Sequence, residues 1–598
     1  MPESRTEDTA DQVPPLATPS LEDLQHWTWV MGRAQQMMLE HFATHGAGQA
    51  AGASDDLARS LFGWTGTLAD PGELIRQQTR LWTDGLAIWQ RALGGEADEE
   101  KSDLAEKADR DRRFAAKEWR DNPLFDTIRQ TYLLVSERLL GSVDAIEGID
   151  DGAREKIRFM TRAFVDAMAP SNFALTNPQV IERAIETNGE SLLVGLEHML
   201  HDLAKGQLTH TDPEAFAVGR DIATTPGKVV AQTKLWQLIQ YAPTTDEVLE
   251  TPLVIFPPWI NRYYILDLNP KKSFIRWAVA QGLTVFVVSW KSADESLADV
   301  TIDDYVLAEI EAIDAVRGAL GVESVHAIGY CVAGTMLAAA LALLAARGEA
   351  GKVASATFFT AQVDFTEAGD LKFFTGDEQM ELIRQLAGDK GYLDGRYMAA
   401  TFNLLRGRDL IWSYVTSNYL MGEEYPQFDL LHWNGDTTNL PAAWHRAYLE
   451  QFYRENRLAR PGGLTIDGTP IDLGKVETPT YVQAGREDHI APPQSVWKIT
   501  HHFAGPLKFV LAGSGHIAGV VNPPEARKYQ YWTNEKKVDT LEDFVAGAKE
   551  TAGSWWPDWR GWIETQSPKR VPAKGARVPG KGRFKAIEDA PGSYVKAR

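Results

Sequence analysis

The sequence predicts an α/β architecture behind a mainly helical N-terminal region. Three observations carry this. Residues 114–203 keep apolar residues at helical spacing. From about residue 227 short apolar runs alternate with helical stretches, the rhythm of a doubly wound sheet. One strand, Val325-His326-Ala327-Ile328-Gly329-Tyr330, runs straight into a helix through a tight turn that carries Cys331. Cys331 is the only cysteine among 598 residues.

Taken in order, residues 1–19 are polar and Pro-containing, and are expected to be disordered. Ser20 opens a helix with Asp23 three residues on, a capping-box-like start. Leu21, Leu24, Trp27, Met31, Ala34, Met38 and Phe42 mark its apolar face. A second amphipathic stretch follows Pro71, with Leu74, Leu81, Ile88 and Trp89. Such faces usually pack against a core; docking on an apolar surface is the functional alternative. Gly94 to Arg113 is highly charged with alternating sign, which predicts a solvated linker or exposed helix. Asn122-Pro123 and Asn177-Pro178 interrupt the helical pattern that follows. The helical domain is therefore placed at 20–210 and the catalytic domain at 211–598.

In the second domain, Val229–Gln232 and Lys234–Tyr241 read as paired strands. Leu253–Phe256 is a short strand closed by Pro257-Pro258, and Thr284–Trp290 is another. A helix over Ile302–Leu320 precedes the Cys331 strand, and Ala354–Phe359 follows its helix. Residues 362–470 break the rhythm and are rich in aromatics, which predicts a cap inserted above the sheet. The rhythm returns at Thr480–Gly485 and Leu507–Leu511. The basic C-terminal tail, about 566–598, reads as solvated, with tethering to an anionic surface as the alternative.

Composition excludes some classes of function. A net charge of −21 argues against nucleic acid as the main partner. A single cysteine leaves no intrachain disulfide and suits a reducing cytoplasm. The polar start, Met1 to Asp8, does not resemble a secretory signal. The longest apolar run, Met336–Ala346, is too short for a transmembrane segment and reads as a buried helix. His501 and His502 lack a matching ligand set, so no metal and no cofactor is expected.

The chemistry lies in three loops, each following a strand. Gly329-Tyr330-Cys331-Val332-Ala333-Gly334 has the form of a nucleophile elbow, though a lone cysteine can also be a small buried hydrophobe. Gly485-Arg486-Glu487-Asp488-His489 supplies an acid, and Gly513-Ser514-Gly515-His516 a base. The order nucleophile, acid, histidine is that of the α/β-hydrolase fold. The fold class is thus an α/β-hydrolase fold with an inserted cap subdomain, preceded by a mainly α-helical N-terminal domain. Cys331 is the expected nucleophile and His516 its base. Asp488 is preferred to Glu487 as the orienting acid, because a shorter side chain is easier to hold rigid. The Val332 N–H is one expected oxyanion donor. The second comes from Pro257-Pro258-Trp259-Ile260, where the prolines have no N–H and Trp259 or Ile260 must donate. His489 is expected to support its loop and His326 to lie in the core.

Several longer motifs now carry a resemblance. They are Pro257-Pro258-Trp259-Ile260-Asn261-Arg262-Tyr263-Tyr264, Ser289-Trp290-Lys291, Gly329-Tyr330-Cys331-Val332, and Phe428 to Pro441 with its Trp433-Asn434-Gly435-Asp436 core. Glu487-Asp488-His489-Ile490, Gly515-His516-Ile517-Ala518-Gly519 and Pro591-Gly592-Ser593-Tyr594-Val595 complete the set. From about Asp111 onward the chain resembles polyhydroxyalkanoate synthases, and its layout resembles class I. Ala333 departs from the family, which usually has Gly there, and Tyr330 stands where the medium-chain class usually has a small residue.

The resemblance implies polymerisation of short-chain (R)-3-hydroxyacyl-CoA, chiefly 3-hydroxybutyryl-CoA, with CoA release. It also implies a homodimer in the cytoplasm at polyester granules, in contact with the growing chain. Cys331 would carry the acyl group, His516 would act as base, and Asp488 would promote elongation. Trp433 and Asp436 are candidates for lining or gating the cap, with a structural turn as the alternative. One thiol per chain means a two-thiol relay cannot run within one subunit. The rivals are a cysteine-dependent thioesterase or polyester depolymerase of the same fold, and a non-catalytic granule-coating protein.

Overall fold

The computed structural model describes residues 33, 34, 36, 37 and 101–598. The expected disordered segment 1–19 lies outside the described residues. So do the amphipathic stretches from Ser20 and after Pro71, apart from those four residues, which are helical.

Among the described residues the longer helices of the N-terminal region are α1 (Lys101–Arg110), α2 (Pro123–Asp144), α3 (Asp151–Ala167), α4 (Pro178–Glu186) and α5 (Glu190–Lys205). Asn122-Pro123 and Asn177-Pro178 act as helix starts. Each Asn side chain accepts an N–H of the first turn, and each Pro takes a position whose N–H has no partner anyway. The charged stretch forms α1 and then folds inward: Phe114 is fully buried, and Arg113 pairs with Asp111 and Asp166.

The catalytic domain is built on one eleven-stranded sheet. Its strands are β1 (Gly227–Gln232), β2 (Trp236–Tyr241), β3 (Leu253–Phe256), β4 (Val285–Trp290), β5 (Val325–Tyr330), β6 (Val353–Phe359), β7 (Thr480–Gly485), β8 (Leu507–Ala512), β9 (Gln530–Thr533), β10 (Lys549–Ala552) and β11 (Glu588–Asp589). Their order is β10-β9-β8-β7-β6-β5-β3-β4-β2-β1-β11. Six strands, β4, β3, β5, β6, β7 and β8, run parallel. The flanking strands are antiparallel. The sheet is therefore mixed, where alternation alone predicted a parallel one. The outer strands pair antiparallel with their neighbours, so they need no helix crossover of the kind that marks parallel strands in the sequence.

Helices α6 (Phe274–Ala280), α7 (Ile302–Leu320) and α8 (Val332–Ala346) cover the sheet. Helix α8 is buried along nearly its whole length, which accounts for its apolar run. Among the described residues no helix is long and apolar enough to cross a membrane. Between β6 and β7 the chain rises into the cap, with α9 (Asp377–Ala387), α10 (Gly395–Leu405), α11 (Asp429–Gly435) and α12 (Ala442–Tyr448). Three π-helical turns, Arg408–Trp412, Val415–Leu420 and Leu449–Arg454, lie among them.

The C-terminal segment is not a solvated tail. Arg570–Pro572 pairs with Glu247–Leu249, and β11 pairs with β1 at the sheet edge. Arg577 is buried, donating to the Glu250 carbonyl, and Val595 is buried as well. The basic residues find partners, as in Lys569–Glu250 and Arg570–Glu564, so their charges serve docking on this fold. A local charge count cannot see a partner three hundred residues away.

The helical region clasps the cap. Helix α5 lies against Val415–Leu420 so closely that a Cβ on Gly195 would run into the Tyr419 carbonyl. Tyr419 donates to Asp202 at 2.6 Å, and His198 bonds the Asn418 carbonyl at 3.1 Å. Arg408 of the cap pairs with Asp166 of α3 at 2.8 Å. Gly195→Ala should therefore lower stability by about 1–3 kcal/mol through overpacking. This outweighs the roughly 1 kcal/mol that alanine contributes to an open helix. Thermal unfolding checks it; a stabilised variant would contradict so close a contact.

Candidate active site

Strand β5 ends at Tyr330 and α8 begins at Val332, leaving one residue to make the turn. Cys331 makes it with φ 53° and ψ −125°, a conformation costly for any residue with a Cβ. The close approach of strand and helix depends on two glycines. A Cβ on Gly329 would sit 2.5 Å from Gly334 Cα, and one on Gly334 would strike Ala361 and the Gly329 carbonyl. The Cys331 N–H donates to the Phe359 carbonyl at 2.9 Å, fixing the turn to the next strand. The thiol stands partly exposed at the end of a central strand, so it is not the buried hydrophobe of the bland alternative. Ala333 is fully buried against the core.

The acid and base arrive from β7 and β8. His516 Nδ1 lies 2.7 Å from Asp488 Oδ2, and both side chains are buried. The other oxygen of Asp488 accepts the N–H groups of Ile490 at 2.8 Å and Ala491 at 2.9 Å. Glu487 points outward and is exposed. Gly485 lets the two loops meet, since a Cβ there would lie 2.8 Å from the Ser514 carbonyl. Cys331 is near enough to His516 to act on its charge. With Nδ1 committed to Asp488, Nε2 is the atom left to face the thiol.

Burial alone would lower the proton affinity of His516. The charge of Asp488, the neighbouring Cys331 sulfur and the hydrogen bond to Asp488 outweigh it, and push the imidazole up to about 10. The array thus favours a proton on His516. The histidine loop is anchored from behind. Tyr330 donates to the His516 carbonyl at 3.0 Å, Trp555 to the Gly519 carbonyl at 2.7 Å, and Trp556 to the Val520 carbonyl at 2.9 Å. The two tryptophans were not legible as site residues; they lie in a C-terminal stretch without a motif.

The cap closes a narrow cavity of about 80 Å³ over the thiol. Cys331, Val332 and Ile260 form its floor, and Phe374, Met398 and Phe402 are among the residues of its roof. Of the two expected second oxyanion donors, Ile260 borders the cavity. Trp259 sends its ring into the core, stacked on Tyr305 at 3.9 Å. Trp290 donates to the Pro257 carbonyl at 2.8 Å and holds this loop. Thr360 and His445 also face the cavity, and Thr360 Oγ1 and His445 Nδ1 are buried without a partner. Burial pushes His445 down to about 4, so it is a neutral imidazole. Sequence reasoning missed both, since each lies outside the recognised motifs.

Trp433 and Asp436 do not line the cavity. Trp433 donates to the Arg262 carbonyl at 2.6 Å. Asp436 accepts from Arg262 at 3.2 Å and Tyr264 at 2.8 Å, and pairs with Arg598 at 2.8 Å. Thr438 accepts the Asn261 N–H and donates to the Trp259 carbonyl, each at 2.7 Å. The Phe428–Pro441 motif is thus a buttress that holds the loop bearing Ile260. Its polar residues reach active-site backbone, which their spacing alone could not reveal. His326 is buried on Ser355 at 2.7 Å, and burial holds it down at about 4. Burial likewise lowers His489 to about 4. His501 and His502 bond different partners, Asp539 and Asp364. Among the described residues no group of three or more His, Cys, Asp or Glu could hold a metal ion.

A family model described as the N-terminus of poly-beta-hydroxybutyrate polymerase (PhaC) matches residues 110–278. A second, the alpha/beta hydrolase fold, matches residues 240–523. The poly(3-hydroxyalkanoate) polymerase subunit PhaC of Rhizobium meliloti (strain 1021) is 46% identical over 536 residues, 89% of this chain and 87% of the relative. This chain belongs to the poly(3-hydroxyalkanoate) polymerase family. The poly(3-hydroxyalkanoate) polymerase of Methylorubrum extorquens is 45% identical over 557 residues, 92% of this chain and 91% of its own. A solved hydrolase from Pseudomonas aeruginosa PA01 aligns with a TM-score of 0.27 at 14% identity, over 49% of this chain and 92% of its own, too loose a likeness to argue from. The near full-length matches accord with a class I synthase on an α/β-hydrolase fold.

Two expectations test this polymerase site. Asp436→Ala leaves Arg262 buried and unpaired, so it should cost about 3–5 kcal/mol of stability. Acylation of Cys331 per folded molecule should also slow, because Asp436 holds the loop that bears Ile260; denaturant titration and single-turnover labelling would show the two effects separately. His516 binds its proton more tightly folded than at its ordinary 6.5. The linked stability is complete below about pH 6.5 and is lost as pH rises toward 10. Urea midpoints should fall across that window for the wild type and less for His516→Gln; parallel curves would contradict the assignment.

Proposed function

We propose that this polymerase extends its polyester by passing each chain through a thioester at Cys331, with one site per subunit. The observation that carries the reading is the Cys331–His516–Asp488 array beneath the cap, with His516 bonded to Asp488 and close to the thiol. The Cys331 thiolate attacks the carbonyl of an (R)-3-hydroxyacyl-CoA. The N–H groups of Val332 and Ile260 receive the oxyanion. The CoA sulfur leaves and takes the proton from His516. One thioester has replaced another, so this step is nearly balanced in free energy.

The neutral His516 then accepts the proton of the 3-hydroxyl of a second monomer, and that oxygen attacks the Cys331 acyl carbon. An oxyester forms, Cys331 leaves as a thiolate, and the chain is one unit longer on the second CoA. Attack by Cys331 on this bound product reloads the enzyme and releases CoA. Asp488 promotes elongation by keeping His516 basic and oriented. The enclosed cavity favours the hydroxyl over water. Its small volume suits short side chains, with 3-hydroxybutyryl-CoA as the principal substrate.

The reading includes no cofactor, because CoA is part of the substrate. It also includes a cytoplasmic homodimer at the polyester granule. One thiol per chain supports one site in each subunit. Exposed apolar side chains on the helical region, among them Leu175 and Ile185, support contact with an apolar polymer.

Supplying 3-hydroxybutyryl-CoA should yield polymer together with CoA. CoA with free acid alone would make this chain a thioesterase and sink the reading. Cys331→Ala should fold and release no CoA, and His516→Ala should be nearly inactive. Asp488→Asn should lose elongation more than first acylation, which single-turnover acylation compared with polymer yield would resolve.

A further inference from the structure

A second cavity lies directly beside the catalytic one. It has a free volume of about 710 Å³ and sits between α3 of the helical region and the cap. That is within the roughly 300–1,000 Å³ of sites that hold a drug-sized ligand. Phe159 and Met160 of α3 face Leu405, Ile411 and Trp412 of the cap across it. Phe374 belongs to both cavities, so a single aromatic side chain forms part of the wall between them. It meets Phe159 edge-on at 5.8 Å.

The charges of the groove cancel. Its three arginines, Arg162, Arg406 and Arg408, are matched by three aspartates, Asp166, Asp370 and Asp409. Arg408 pairs with Asp166 at 2.8 Å and Arg406 with Asp409 at 2.5 Å. Arg162 is near enough to Asp370 to act on its charge. A site for the CoA phosphates would present cations in excess. An apolar groove with neutralised rims suits an uncharged chain of ester units. The catalytic cavity, at about 80 Å³, has no room for such a chain once it grows.

We propose that this groove between α3 and the cap receives the growing polyester, with Phe374 as the side chain that must turn aside to admit it. The proposal rests on the polymerase reading above. It gives the helical region a direct part in elongation: α3 forms one wall of the product path. The chain remains non-covalently held there while Cys331 is free, which is what a single thiol per subunit requires.

The test uses the full chain with Ala163→Trp and Met160→Trp, two substitutions that fill the groove away from Cys331. Polymer formation by the wild type first establishes the polymerase reading independently. With one equivalent of 3-hydroxybutyryl-CoA, both variants should release CoA at the wild-type rate. With excess substrate, elongation should fall at least about tenfold and products should stop at short oligomers. Unchanged elongation and chain length in a folded variant would overturn the proposal. So would a parallel fall in first acylation, which would make the groove a substrate entrance. A measurement on the unmodified protein covers the case in which neither variant folds. A 3-hydroxybutyrate oligomer bearing a diazirine, loaded from its CoA ester, should crosslink within residues 159–168 or 404–412. Crosslinks confined to other segments would overturn the proposal.

Discussion

The backbone contact between Gly329 and Gly334 is the constraint on which the rest of the site depends. Only because neither residue has a Cβ can α8 begin one residue after β5 ends. That forces Cys331 into a positive φ, and the parallel sheet around it bears the cost. The thiol is thereby presented at a strand end where two neighbouring loops can reach it. Asp488 and His516 come from the ends of β7 and β8, and their bond exists because Gly485 lets those loops approach. The same turn puts the first N–H groups of α8 directly after the thiol.

Around this centre, much of the chain positions backbone rather than touching substrate. Arg262, Trp433, Asp436 and Thr438 form a buried knot under the loop that carries Ile260. Trp555 and Trp556 hold the histidine loop through carbonyl groups. The C-terminal segment closes the sheet edge and sends Arg598 to the same Asp436. Residues far apart in the chain therefore share one task, keeping oxyanion donor and base at fixed distances from a thiol. The helical region acts differently. It grips the cap through α3 and α5, and so belongs to the structure that covers the site.

The small cavity has a mechanistic consequence. A volume of about 80 Å³ admits a short acyl group and leaves no place for a long chain. Enclosure raises the influence of the Asp488 charge on His516, because less water screens it.

The core strands and the helices beside them were legible residue by residue: Leu253–Phe256, Ile302–Leu320 and Val325–Tyr330 are where periodicity puts them. On the antiparallel flanks the paired strands at 229–241 were legible too, but the strands after β8 and the docked C-terminal segment were not, because their partners are remote and short strands carry little pattern. Cys331, His516 and Asp488 stood out because each follows a strand in the order this fold requires. Trp433 and Asp436 were misplaced onto the cavity, since a motif records which residues recur together and not what they face. Thr360 and His445 had no motif to mark them. By itself, the sequence determined the fold class, the family, the lone thiol and the order of its partners, because these depend on local pattern and residue identity. Only the tertiary structure decided which oxyanion donor borders the cavity, which motif is a buttress, and that the helical region lies beside the catalytic cavity, because these depend on distances between segments remote in the chain.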